Sequence, residues 1–420
     1  MKSEPRERQF SITVIMSNHY NYIIIGAGPA GTDAALALRK QGHTVLLVEK
    51  DKWGGTCLHQ GCIPTKALIH YSSQPFNGDL PALFEKVFAK VTAISENLYA
   101  NLERNGIALM HEQAHIIDDT NVKLGDVIYS CDKLVYAAGS TPIVPHINGL
   151  DISGVYTSET IFNLPEVPKR LAIIGGGYIG FEWANIFMNL GSNVTIYEAQ
   201  PQVLTSFDED VRRRLLLIMR GRPLSIKTNV NITEFMKTPT GIDIKFDGDT
   251  PIDSADAVLV AVGRKASRLN LPEGVIKIGD AAGPPYLAHK ASAEGRALSD
   301  EGYRPDIIPA AMFTDPEIAV TGFSEGQLKE QHLEYVTFKL PYRANSKAFV
   351  TDHDEGFIKL ITDPQKEYLL GAAIIGYQAA NIINVLTLAI QERIPIVKLK
   401  HIIFPHPTIG ELVAQALEAL

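Results

Sequence analysis

Cysteine is scarce in this chain: three residues in 420, two of them, Cys57 and Cys62, separated by four residues in the run GGTCLHQGCIPTKAL. An excess of positive charge is missing too. Lys and Arg number 39 against 47 Asp and Glu, a net charge of -8, and no basic block occurs, which argues against nucleic acid or a membrane surface as a partner. No apolar run approaches the roughly 20 residues of a membrane span. The opening stretch MKSEPRERQFSITVIM has neither the apolar segment nor the cleavage site of a signal peptide, so residues 1–19 are expected as a tail and the protein as cytoplasmic. Without a secretory signal, a close cysteine pair points to redox chemistry, with a zinc half-site or two buried thiols as the alternatives. Zinc wants a second ligand pair at metal spacing. The scattered histidines supply none, so no metal is expected.

What the chain does have is enough apolar content, 45%, to build cores for about three domains. It also carries one design twice. Residues 22–49 read as strand, glycine turn, alanine-rich helix and second strand, with Gly26, Gly28 and Gly31 in GAGPAG and Glu49 closing the second strand. Residues 171–198 repeat this with Gly175, Gly177, Gly180 and Glu198 at the same spacings. In such a unit the first glycine makes a tight turn, the second lets the backbone approach a pyrophosphate, and the third lets the helix pack closely on the sheet. The carboxylate takes the ribose hydroxyls. Two dinucleotide sites and a cysteine pair imply an electron path from one cofactor to the other and on to sulfur. The cysteines follow Glu49 almost directly, so the first unit should hold FAD, which exchanges electrons with a disulfide, and the second a nicotinamide. Glu198 would repel a ribose 2'-phosphate, and AQPQVLTSF after it offers no arginine to bind one, which predicts NAD over NADP. Arg212 to Arg214 read as surface charge on a helix.

After Cys62, with Pro64 at its head, the chain reads as a helix start. That helix end favours a thiolate at Cys62, and Lys66, one turn on, adds a positive charge beside the sulfur.

The combined pattern resembles the flavoprotein disulfide reductases of the pyridine nucleotide-disulfide oxidoreductase family and is most similar to their dihydrolipoamide dehydrogenase branch. The resemblance runs from about Tyr20 to the C-terminus and includes LVYAAGSTP, VLVAVGRK, IGDAAGPPYLAHKA, FTDPEIAVTG and FPHPTIGE. It implies an α/β fold with two Rossmann-like dinucleotide-binding domains and a C-terminal α+β interface domain. The expected divisions are an FAD-binding domain with the redox disulfide at 20–150, an NAD-binding domain at 151–265, a shortened central segment returning to the FAD site at 266–303, and a dimerisation domain at 304–420. Gly55, Thr56, Gly139, Ser140, Gly263, Leu287 and Ala288 lie in matched motifs at cofactor-binding positions, and Asp280 matches the carboxylate that binds the flavin's ribityl chain.

The resemblance makes Cys57 the outer, substrate-exchanging sulfur and Cys62 the inner sulfur beside the flavin. Lys66 and Glu182 match a buried ion pair near the flavin, although Glu182 on a solvated helix face is the alternative. Tyr178 matches a tyrosine covering the nicotinamide pocket, or is core. His406 matches the acid–base residue, acting on the cysteines of the other subunit, with Glu411 orienting it. Thr408 and Glu411 also read as a capping box. His59 reads as a loop residue at the substrate mouth.

The activity implied is oxidation of dihydrolipoamide by NAD+ to lipoamide, NADH and a proton, by a homodimer whose substrate is a small dithiol or the lipoyl domain of a 2-oxo acid dehydrogenase complex. Another NADH-dependent reductase of a small disulfide and a non-catalytic dimeric flavoprotein are the competing readings. Glu198 and Gly180 disfavour glutathione reductase. The mercuric reductases' C-terminal cysteine pair is missing. Between Gly263 and Gly279 the chain is shorter than the family's usual stretch.

Overall fold

The computed structural model describes residues 18–248, 251–267, 270–300 and 307–420. The expected tail therefore lies outside the described residues except for Asn18 and His19, and so does the boundary expected at 303–304. Among the described residues no helix is long and apolar enough to cross a membrane.

The first sheet is built on a parallel set in the order Ala108–His111, Val45–Glu49, His19–Ile25 and Val127–Tyr136, extended by antiparallel strands Asn121–Leu124 and Ala114–Ile116. Its strands read as nearly continuous apolar runs because both faces are covered. Ile24, Leu47 and Val135 pack on one side, and their neighbours Ile23, Leu46 and Leu134 on the other. Each such fully buried side chain contributes roughly 1.5–3 kcal/mol relative to exposure.

Far along the chain, strand Ile276–Lys277 returns to pair parallel with Val135 and Tyr136 at the other edge of this parallel set. The helix that follows, Ala288–Ala297, lies against the first glycine-loop helix, Pro29–Lys40. Small residues let the two approach: a Cβ on Gly295 would stand 2.4 Å from the Ala30 carbonyl oxygen. Arg296 and Asp33 join the helices at 2.7 Å.

A second sheet repeats the plan, all parallel, in the order Leu224–Lys227, Asn193–Tyr197, Arg170–Ile174, Ala257–Val260 and Val155–Thr157. The two units meet at several places. A short antiparallel ladder pairs Ser140–Pro142 with Arg264–Ala266. The 25-residue helix Leu80–Arg104, capped by Asp79 through the Ala82 amide, carries Phe84 and Phe88 edge-on to Phe162, which meets Trp183 in the same way. Such aromatic pairs contribute about 0.5–1.5 kcal/mol each beyond their burial.

The last unit is an antiparallel sheet ordered Ala310–Met312, Glu317–Gly322, Leu369–Gly376, Phe357–Thr362 and Val336–Pro341. Helices Ala379–Gln391 and Glu411–Glu418 share its apolar core.

The third glycine of each repeated unit is set by sterics. A Cβ on Gly31 would lie 1.9 Å from the Gly26 carbonyl oxygen, and one on Gly180 2.2 Å from that of Gly175. Gly31→Ala should accordingly lower the unfolding free energy by about 1–3 kcal/mol, the cost of overpacking, in a denaturant titration. Gly28→Ala, whose Cβ meets nothing within 4 Å, should leave the stability of the cofactor-free protein unchanged.

Candidate active site

One cavity of about 2050 Å³ runs between the three units. Single-ligand pockets hold about 300–1,000 Å³, so this one has room for two dinucleotides. Its walls bring together Gly26, Gly28, Glu49, Gly55, Thr56, Cys57, Cys62 and Lys66 of the first unit with Gly139 and Ser140. Gly175, Gly177, Tyr178, Glu182, Glu198 and Gly263 line it from the second, and Asp280, Leu287 and Ala288 from the returning segment. Gly31 and Gly180 stand behind the loops as packing positions.

The two glycine loops are built alike. Gly26 and Gly175 have φ of +103° and +108°, and a side chain on either would meet a neighbouring carbonyl oxygen, Ala137 or Ala261, at 2.5 Å. Each loop is closed by its own carboxylate. Glu49 accepts the Ala27 amide at 2.8 Å and the Asp51 amide at 2.9 Å; Glu198 accepts the Gly176 and Gln200 amides, both at 2.8 Å. Gly28 and Gly177 have ordinary backbone, and a Cβ on either would project into open cavity. That is the cradle a pyrophosphate needs at a helix N-terminus, so both loops fit a dinucleotide.

Helix Cys62–Ser72 begins at Cys62, and the short helix Gly55–His59 carries Cys57. His59, read from the sequence as a loop residue, instead ends that short helix, its Nε2 bonded to the Trp53 carbonyl at 2.9 Å; the glycines on both sides hid a single helical turn. Both sulfurs are half-buried thiols. Hydrogen bonding from Cys57 lowers the Cys62 thiol to about 7, helped by Lys66 and opposed by burial and Glu182. The same bond, with burial, pushes the Cys57 thiol up. Of the two thiols, Cys62 is thus the one that ionises more readily. Cys131 is buried in the first core, and desolvation raises it to about 11.

Lys66 Nζ reaches the two Glu182 oxygens at 2.8 and 3.0 Å, and Glu182 is 8% exposed, so the solvated-face alternative is set aside. Two groups unmarked by the sequence reading complete this cluster. The Phe313 amide donates to Glu182 Oε1 at 3.0 Å, and the Phe313 ring lies 4.7 Å from the Lys66 ammonium.

Asp280 Oδ2 accepts the Ser140 hydroxyl at 2.5 Å. Arg264 holds Ser140 through Nε and Nη2 at 2.9 and 2.7 Å and reaches Glu159 at 3.0 Å. Arg264 stands in the quoted VLVAVGRK run, where only its glycine drew attention; a basic residue at the end of a strand opposite a matched serine was the available signal. Tyr178 is half-buried, its ring tilted against Phe207 at 4.8 Å.

His406 and Glu411 do not line this cavity in the single chain. They pair with each other at 2.9 Å on an exposed edge, the His406 side chain 73% exposed. Glu411 also accepts the Thr408 amide at 2.8 Å, one half of the capping box. The other half is missing, because the Thr408 hydroxyl donates back to Pro405 and the helix starts at Glu411 behind Gly410. Arg212 and Arg213 lie on the helix Glu209–Ile218 as expected, while Arg214 pairs with Glu355 of the last unit.

Residues 20–286 match the pattern of the family described as pyridine nucleotide-disulphide oxidoreductase, and residues 308–417 match that family's dimerisation domain. The chain is 32% identical to dihydrolipoyl dehydrogenase of Staphylococcus aureus, over 94% of its own length and 95% of the relative's. Dihydrolipoyl dehydrogenase of Bacillus subtilis matches at the same identity and shares. Among solved structures, the HOCl-induced flavoprotein disulfide reductase RclA from Escherichia coli superposes with a TM-score of 0.88 at 27% identity, covering 95% of this chain and 99% of that one.

Because the folded Cys62 value lies below that of a free thiol, 9.0, its ionisation stabilises the reduced protein fully above that pH, and the contribution is lost as pH falls through about 7. The stability difference between wild type and Cys62→Ser, measured by denaturant titration under reducing conditions, should shrink over that window. Lys66→Met should move the pH midpoint of Cys62 alkylation upward, since the ammonium favours the thiolate.

Proposed function

The chain belongs to the pyridine nucleotide-disulphide oxidoreductase family, an oxidoreductase of FAD and NAD that forms a homodimer, and from that premise we propose that it oxidises dihydrolipoamide with NAD+. The observation that carries this reading is the Cys57–Cys62 pair, set in one cavity with both glycine loops and the Lys66–Glu182 pair.

The residues divide the work as follows. A thiolate of the dithiol substrate attacks Cys57 Sγ of the Cys57–Cys62 disulfide, and Cys62 leaves as a thiolate. The second substrate thiol gives its proton to His406 of the second copy and displaces Cys57, releasing the cyclic disulfide. Glu411 holds His406 Nδ1 so that Nε2 is the exchanging atom. Lys66 and the start of the helix Cys62–Ser72 keep the Cys62 charge beside the first glycine loop. FAD, if bound there, would supply the two-electron transfer between that sulfur and the nicotinamide. Gly28, Glu49, Ser140 and Asp280 would hold the flavin dinucleotide, and Gly177 and Glu198 the nicotinamide one, a division supported by their positions on the cavity wall. The carboxylate of Glu198 at the ribose favours NAD over NADP. A free lipoamide or a lipoyl domain would present the same dithiol.

A second reading, reduction of another small disulfide by NADH, is favoured by the short stretch between Gly263 and Gly279 and by the likeness to RclA.

Purified enzyme given NADH should turn over lipoamide at least about tenfold faster than oxidised glutathione or coenzyme A disulfide. The reverse order would favour the second reading, and inactivity on all three with FAD bound would leave a binding module. His406→Gln should slow dithiol-driven reduction of the flavin by about 100-fold or more while NADH still reduces it at the wild-type rate in stopped flow. Glu198→Ala should narrow the preference for NADH over NADPH in paired KM measurements.

A further inference from the structure

Behind the second glycine loop lies a buried charge cluster to which the chemistry above gives no task. Lys359, on strand Phe357–Thr362 of the last unit, has a side chain with no exposure at all. Its ammonium meets Asp208 at 2.6 Å, Asp210 at 2.9 Å and Glu325 at 3.0 Å. The three carboxylates lie close enough together to suggest a cation site, but the ammonium already stands among them. Asp208 is gripped a second time, by the Glu325 amide at 3.1 Å. A buried lysine is costly unless its charge is met by well-placed partners, and here all three of its contacts are carboxylates.

Asp208 follows directly on Ser206 and Phe207. Phe207 is buried and its ring carries Tyr178, while the Ser206 side chain stands beside the Tyr178 phenol. Ser206 and Tyr178 both line the cavity. The segment from Glu198 to Asp208 thus contributes Glu198, Ala199 and Ser206 to the cavity wall, and of the contacts that hold it two flank Phe207. One is the Leu204 amide on the Gly176 carbonyl at 2.8 Å, within the second glycine loop itself. The other is Asp208 on Lys359, which belongs to a different unit of the chain.

We propose that Lys359 is a positioning residue for the nicotinamide dinucleotide: by holding Asp208 it fixes Phe207 and Ser206, and through them the place of the Tyr178 ring in the pocket. The inference rests on the second glycine loop being the NAD site, as proposed above. A wall ordered before binding does not have to be ordered at the expense of affinity, so loosening its far mooring weakens the complex.

The test is calorimetric titration of the FAD-loaded enzyme with NAD+. Lys359→Met, which keeps the length of the side chain and removes its charge, should raise the NAD+ Kd about tenfold, while dithiothreitol still reduces the flavin at the wild-type rate. Phe207→Leu should raise the Kd as well, and the double variant should fall short of the sum of the two effects, because both act on one seat. Asp208→Asn carries the same expectation if Lys359→Met fails to fold. An unchanged Kd in a folded Lys359→Met or Asp208→Asn, or full additivity with Phe207→Leu, overturns the proposal. Absence of NAD+ binding by the wild type would remove the nicotinamide assignment and this inference with it, an outcome distinct from binding that is insensitive to Lys359.

Discussion

The ion pair between Lys66 and Glu182 is the contact on which the rest of the site depends, because its members come from different units and a third unit closes it. Lys66 rises from the cysteine helix, Glu182 from the second glycine-loop helix, and the Phe313 amide from the start of the last unit. A buried carboxylate left without its cation carries its full desolvation cost. The pair therefore ties the correct docking of three pieces to the burial of one charge. It also sets the electrostatics at sulfur: Lys66 draws Cys62 toward the thiolate and Glu182 partly offsets it. The larger effect is the hydrogen bond from Cys57, and together they bring the Cys62 thiol down to about 7, a range suited to thiol exchange near neutral pH.

The repeated glycine loops solve a second problem with one device. A loop that presents amides to a phosphate must keep its shape before the phosphate arrives. In both copies the acidic side chain at the end of the second strand accepts one amide of its own glycine turn and one just beyond itself. The carboxylate we propose for the ribose hydroxyls is thus also a brace for the backbone. The close match of the two copies follows from identical spacing, since the same strand length and the same turn deliver the carboxylate to the same amide.

The parts of this arrangement that could be read in the sequence are those whose chemistry is local. Glycine spacing, the terminal glutamates, the cysteine pair and the helix start after it need only a few consecutive residues to declare themselves. The groups that escaped notice act across long separations. Arg264 matters because a two-stranded ladder returns it to Ser140, Phe313 because its backbone meets Glu182, and Lys359 because a strand of the last sheet passes under Asp208. Nothing in the immediate neighbours of Phe313 or Lys359 announces this, and Arg264 is marked only by its place in the VLVAVGRK run. Thr408 shows the opposite limit: its spacing to Glu411 fits a capping box, yet its hydroxyl turns to Pro405 and only the Glu411 half forms. His406, legible as a motif, lies on an exposed edge outside the cavity that the cysteines of its own chain line, so the role proposed for it calls on a second copy.

The return of strand Ile276–Lys277 to the first sheet has a consequence for how the polypeptide is made. The second unit is an insertion within the first, and the small helix Ala288–Ala297 that covers Ala30 and Ala34 arrives only after that insertion has been completed. On the ribosome, the opening glycine-loop helix must therefore wait with one flank bare while well over a hundred further residues emerge. Long-range closure of this kind folds slowly and leaves apolar surface open to association in the interval. Maturation of the first unit is thus paced by this returning segment, and a truncated product lacking it would be left with an unfinished first sheet.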